Sequence, residues 1–132
     1  MKIKAMNTDS ALLVLRVGLG GMMLTHGIPK LMKGTKLWPK IGSAVETVGI
    51  EFGHTFFGAA AVAAETIGAA LVIIGLKTRP AATSIVLTMA VAAIMHQSKG
   101  DSWSQISHPI EVGIGFLAIC IAGAGKYGID KS

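Results

Sequence analysis

Four long apolar stretches separated by polar joints organise this chain, over residues 11–28, 54–76, 80–97 and 108–125. At about 20 residues per crossing, each is long enough to span a bilayer. The third carries no Asp, Glu, Lys or Arg at all. A helix of a soluble bundle keeps a polar stripe on its outer face, whereas these stretches are apolar almost all round. The pattern predicts an all-α integral membrane protein with four transmembrane helices in a single domain over residues 1–132. Glycine and proline mark the joints: Gly27-Ile28-Pro29 closes the first stretch, Gly75 to Pro80 makes a tight turn, and Gly123-Ala124-Gly125 closes the fourth. Short turns force antiparallel neighbours, so the expected architecture is an up-down-up-down bundle.

One connection is long, residues 30–53. Within it Ile41, Ala44, Val45 and Val48 recur at i, i+3, i+4 and i+7, the spacing of an amphipathic helix. This segment is expected to lie at the interface or to dip back into the bundle. Small residues at four-residue spacing, such as Ala60, Ala64 and Gly68 or Ala118 and Ala122, allow close helix contact.

Composition sharpens the membrane reading. Apolar residues make up 52% of the chain and charged ones only 14%, a balance that disfavours a soluble bundle. The net charge of +5 lies mainly outside the apolar stretches. It forms no basic run interleaved with aromatics, so the partner is a lipid surface and not a nucleic acid. The start, Met1 to Lys4 before an apolar run, resembles a signal peptide, but Arg16 interrupts that run and no cleavage site is convincing, so an uncleaved first helix is expected. The up-down order puts Lys2, Lys4, Lys77, Arg79, Lys126 and Lys131 on the terminal side, against Lys30, Lys33, Lys36, Lys40 and Lys99 opposite. The positive-inside rule therefore favours cytoplasmic termini slightly. Trp38 and Trp103 fall in the opposite loops, where interfacial anchors belong. The lone Cys120 permits no internal disulfide and no Cys-x-x-Cys exists, so the chain alone is a poor dithiol oxidoreductase.

The candidate chemistry is a set of ionisable groups inside the apolar stretches. Arg16 sits in the first, Glu65 in the second and Glu111 in the fourth. A charge at bilayer depth is unfavourable by roughly 2.5–3.5 kcal/mol on insertion scales and usually has a partner. Counting helix rise from His26 and from His54 places Arg16 and Glu65 at similar depths, roughly 15 and 16 Å. The expectation is a midplane Arg16–Glu65 ion pair, either a structural lock or the wall of a proton- or quinone-accessible cavity. All four histidines, His26, His54, His96 and His108, fall toward the non-terminal side. Lys30 lies one turn beyond His26, and His108 can meet Glu111 at i+3. Imidazoles with a carboxylate suit a polar headgroup, a proton relay or a metal. His-x-x-Glu is too loose to assign a metal, and none is assigned. Beyond the initial Met1, the methionines Met6, Met22, Met23, Met32, Met89 and Met95 show no compact soft-ligand spacing.

These residues together resemble the DoxX family of small four-helix membrane proteins. The resemblance rests on Arg16, His26-Gly27-x-x-Lys30, Glu65 ahead of Gly75-Leu76-Lys77-Thr78-Arg79-Pro80-Ala81-Ala82, and the ending Gly123-Ala124-Gly125-Lys126-Tyr127-Gly128-Ile129-Asp130. That ending is similar to the family's Gly-Pro-Gly-Arg-Tyr-Ser-Leu-Asp, with Ala124 for Pro and Gly128 for Ser. It covers the chain from about Ala11 to Asp130. The resemblance implies an integral membrane protein. Some relatives are parts of a thiosulfate:quinone oxidoreductase, and others belong to membrane complexes resisting oxidative stress. The chain carries no flavin, iron–sulfur or dinucleotide motif of its own.

The leading expectation is a membrane subunit of a redox complex, in a bacterial or archaeal cytoplasmic membrane, that helps pass electrons from a soluble or membrane partner to the quinone pool. Glu65, Glu111, His26 and His96 are the candidate proton-transfer groups, and Arg16, Lys30 and His108 the candidate substrate-binding groups. The alternatives are a non-enzymatic scaffold for a soluble redox enzyme, docking through the 41–48 segment, and a small permease for a weak acid or sulfur anion. A permease of four helices needs a homo-oligomer.

Overall fold

The computed structural model describes residues 3–130, with side chains from residue 8, and every regular element in it is helical. Lys2 and Lys131 lie outside that range, as do the side chains of Lys4 and Met6. The elements are α1 (Ile3–Met32), α2 (Trp38–Gly42) between the 3₁₀ turns Thr35–Leu37 and Ser43–Val48, α3 (His54–Ala63), α4 (Ala69–Ile74), α5 (Thr78–Ser98) and α6 (Trp103–Ala122). A π turn, Ala64–Gly68, joins α3 to α4 without a break. Four of the resulting helices are long and apolar enough to cross a membrane: Thr8–Met32, His54–Ile74, Thr78–Ser98 and Trp103–Ala122. The protein is an integral membrane helical bundle.

The spans match the apolar stretches, and their ends differ for local reasons. The first helix runs through Pro29 to Met32, because a membrane helix tolerates the hydrogen bond that proline removes. Its last turn is re-closed by the Lys33 amide on the Pro29 carbonyl, 3.1 Å. The fourth begins at Trp103 and not at His108, since Ser102 and Gln105 form a capping box ahead of it. It stops at Gly123, whose φ of 81° suits glycine. The second span ends at Gly75, where a left-handed φ of 73° turns the chain back.

The 41–48 segment is helical and packs back on the bundle, against the first turns of α3 and against α5. Gly42 and Gly58 permit this approach: a Cβ at Gly42 would collide with the His54 carbonyl, and one at Gly58 with the Trp38 carbonyl. The core packs small and branched side chains, among them Ala69, Val72, Ala82, Ile85 and Ile119, around Phe116. Ile67, Leu87, Ile114 and Ile121 point outward, as lipid-facing residues do. α5 and α6 pack along their lengths. α1 leans on α4 and the π turn but meets α6 only lightly, which leaves a seam between α1 and α6.

The chain's end is stitched to the tight turn after the second span. The Ile129 amide donates to the Ile74 carbonyl (3.3 Å) and the Asp130 amide to the Gly75 carbonyl (2.8 Å). Asp130 then accepts from the Lys77 and Thr78 amides, at 2.8 and 2.9 Å. Those amides are the unpaired donors of the first turn of α5, so Asp130 caps that helix from a distance in sequence. Asp9 accepts from the Lys126 amide (3.0 Å) and ties the tail to α1. The bonds from the α5 amides, Thr78 foremost, hold the Asp130 carboxyl below the usual range.

Candidate functional site

The register of α1 against the second span decides where the intramembrane charges go. Gly20 packs on Ala69 and Ile73, and Gly27 on Glu65 and Thr66. Glu65 is therefore level with Gly27, and Arg16 is level with the far end of the second span. The expected Arg16–Glu65 pair does not form. Counting depth from His26 and His54 assumes that these two residues share a level, whereas α1 and the second span are staggered.

Arg16 is only 1% exposed, and each of its three guanidinium nitrogens donates to a backbone carbonyl. Nε donates to the Val72 carbonyl (3.0 Å), Nη2 to the Ile73 carbonyl (2.9 Å) and Nη1 to the Ala124 carbonyl (2.9 Å). Val72 and Ile73 belong to the last turn of α4, where the helix dipole is negative and carbonyls run short of helical donors; the Val72 carbonyl also accepts from the Gly75 amide, 3.1 Å. A planar fork of donors spread over three nitrogens reaches carbonyls on separate segments at once, whereas lysine's three donors radiate from a single nitrogen. Arg16 thus clasps α1, the end of the second span and the C-terminal tail together.

Glu65 pairs with Lys30 instead, with Nζ 2.9 Å from Oε1 and 3.1 Å from Oε2. The carboxylate side chain is 3% exposed and the ammonium side chain 36%, so the glutamate is inside and the lysine reaches in from the mouth. Three local features create the pair. α1 continues past Pro29, which keeps Lys30 on the helix. Gly27, one turn earlier on that face, lets the backbones touch, since a Cβ there would collide with the Glu65 carbonyl. Glu65 itself lies in the π turn, a wide turn that re-aims side chains and recurs at functional sites.

The Lys30–Glu65 pair borders a cavity of about 560 Å³ at the seam of α1, α5 and α6. Leu19, Met22, Met23, His26 and Lys30 line it from α1, Met89, Ala92 and His96 from α5, and Ser104, Gln105, His108, Pro109 and Val112 from α6. The wall is mostly apolar, with polar groups at few points, the usual make-up of a small-molecule site. The His26 and His108 rings lie 5.7 Å apart across the seam. His96 Nδ1 lies 2.7 Å from Asp101 Oδ2 in the α5–α6 turn, which orients the ring.

The structure therefore brings together Glu65, Lys30, His26, His96 and His108. It leaves three of the other candidates apart. Arg16 is outside the cavity. His54 faces Glu46 at 3.4 Å and joins α3 to the 41–48 segment. Glu111 is exposed on the outer side of α6 and, among the described residues, has no hydrogen-bond or ion-pair partner, so the expected His108–Glu111 contact is absent. Nor do the described His, Cys, Asp and Glu residues form a cluster of three that could hold a metal. Cys120 is half-buried with its Sγ 3.1 Å from Thr83 Oγ1. Met22, Met23 and Met89 were not expected as lining residues. The signal was present in the spacing, because Leu19, Met22, Met23, His26 and Lys30 occupy one face of a single helix.

A family model described as DoxX matches residues 11–98, two-thirds of the chain and the first three spans. No curated protein and no solved structure gives a significant match. α6 and the tail, which supply the His108 wall and the Arg16 clasp, lie beyond the matched range.

Proposed function

Given that the chain belongs to the DoxX family of membrane proteins, we propose that it is the membrane subunit of a redox complex and that the cavity at the α1–α6 seam takes a quinone headgroup. The observation that carries this reading is the buried Glu65 held by Lys30 on a mostly apolar cavity with imidazoles on two further sides. A quinone needs an apolar route for its ring and tail, a donor for each carbonyl oxygen, and two protons for every two electrons. The seam between α1 and α6 provides the apolar route. Lys30 and a ring N–H of His26 or His108 donate to one carbonyl, and His96 to the other. Glu65 and the imidazoles relay the two protons taken up as quinone becomes quinol. The two electrons come from a redox group on a partner protein.

The permease alternative, motivated by the intramembrane charges, loses part of its support, because Arg16 lies outside the cavity and donates to three backbone carbonyls. With cytoplasmic termini, as the basic residues favour, the cavity mouth opens in the outer half of the bilayer. The test is binding of a short-chain ubiquinone analogue to the purified protein, followed by tryptophan fluorescence and calorimetry. Saturable binding that weakens at least tenfold in Glu65→Gln and in His108→Ala supports the proposal. No saturable binding to the wild-type protein, or binding unmoved by both substitutions, overturns it and leaves the scaffold alternative.

A further inference from the structure

Among the described residues, Glu111 is the one acidic side chain of the spanning helices with no hydrogen-bond or ion-pair partner. It lies eight residues beyond Trp103, about 12 Å into a span of about 30 Å by helix rise. It is exposed, on an outer face that also presents Ile114, Ala118 and Ala122. Ionisable residues at that depth face a bundle interior or a cavity, and here Glu111 faces neither. Three residues earlier on the same side of α6 stands His108, also exposed and in contact with His26 across the cavity seam. One helix face thus carries both an acceptor and a donor of opposite potential charge, and such a face is complementary to a copy of itself.

We propose that the protein is a two-fold homodimer joined along the outer face of α6, in which Glu111 of each copy meets His108 of the partner subunit. A two-fold axis along the membrane normal keeps both α6 helices at the same level. The 108 and 111 positions then differ by about 4.5 Å in height, within the reach of a glutamate side chain. Ala118 and Ala122, further along the face, let the helices approach closely below this contact. Because His108 lines the cavity, each copy supplies a carboxylate at the mouth of its partner's site. The cavity in one chain is complete in its walls and lacks this acidic residue. The dimer does not depend on what the cavity binds, so it survives failure of the quinone reading.

The test uses the full-length protein in the membranes of expressing cells, in a Cys120→Ser background that keeps the small polar contact to Thr83. Ala118→Cys is expected to give an oxidative crosslink at twice the chain mass, and Leu87→Cys, exposed on α5, to give none. Native mass spectrometry in mild detergent reads the stoichiometry, with two chains expected. Glu111→Leu is expected to lower the dimer fraction at least tenfold, and the exchange of the pair, His108→Glu with Glu111→His, to restore it. A monomer in both assays, equal crosslinking at both cysteines, a dimer unmoved by Glu111→Leu, or an Ala118→Cys adduct only with a different protein each overturns the proposal.

Discussion

Replacing Arg16 by methionine removes the clasp at the terminal side of the bundle while keeping a long apolar side chain. The guanidinium makes three hydrogen bonds to carbonyls at 2.9–3.0 Å from a nearly fully buried position. A hydrogen bond to a charged group contributes about 1.5–3 kcal/mol, and a buried acceptor left unpaired costs about 1–3 kcal/mol, a cost the Val72 carbonyl avoids because it keeps the Gly75 amide at 3.1 Å. Against this stands the relief of no longer burying a charge, which offsets several kcal/mol. The balance is a loss of about 3–4 kcal/mol, roughly a factor of several hundred in the unfolding equilibrium. Arg16→Lys keeps the charge but reaches fewer of the carbonyls, so a loss of about 2 kcal/mol is expected. The assay is reversible denaturant unfolding in mixed micelles, with proteolytic release of the C-terminal tail as a local readout. The clasp also predicts independence. Arg16→Met and Glu65→Gln share no partner, so their effects should add within about 0.5 kcal/mol. A coupling above about 1 kcal/mol in that double-mutant cycle, or an Arg16→Met protein that unfolds at the wild-type midpoint with a protected tail, would refute the reasoning.

Three further outcomes follow from the same geometry. Lys30→Met strands the Glu65 carboxylate in an apolar wall and should cost about 2 kcal/mol, more than Glu65→Gln; the double substitution should recover part of the loss, as read by thermal unfolding. Gly27→Ala drives a methyl into the Glu65 carbonyl and should cost about 1–3 kcal/mol by overpacking while also disturbing the Lys30–Glu65 pair, whereas Gly21→Ala on the open side of α1 should be near neutral. Asp130→Ala should loosen the tail and lower the thermal midpoint. Because the folded carboxyl titrates below its unfolded value, this stabilisation is complete above about pH 4 and is lost as pH falls through the folded value, so tail proteolysis in the wild type should rise on acidification and that of Asp130→Ala should not.

The residues of the closing motif illustrate how a pattern can be legible while its meaning is not. Gly123 to Asp130 stands out in the sequence as an ordered set, yet nothing in its order says that Ala124 offers a carbonyl to Arg16 or that Asp130 caps α5. Both contacts join positions more than fifty residues apart. The same holds for Glu65. Its depth from His54 was legible, but its partner depended on how far α1 slides along α3. That stagger is set by glycine contacts, Gly20 on Ala69 and Gly27 on Glu65, whose partners a linear chain does not name. Glu111 was legible as a buried-depth carboxylate and drew the nearest histidine as its partner, whereas helix rotation within the bundle turned it outward.

Sequence alone determined the four spans, the amphipathic pattern of the 41–48 segment and the list of ionisable groups in the membrane, because length, hydrophobicity and helical period are local properties of the chain. Tertiary structure alone decided which charge meets which. A shift of a few residues between neighbouring helices changes every partner at almost no cost in buried apolar area, so hydropathy is nearly blind to it. Steric contact at a few glycines fixed that shift, and with it separated Arg16 the clasp from Lys30 and Glu65 at the cavity.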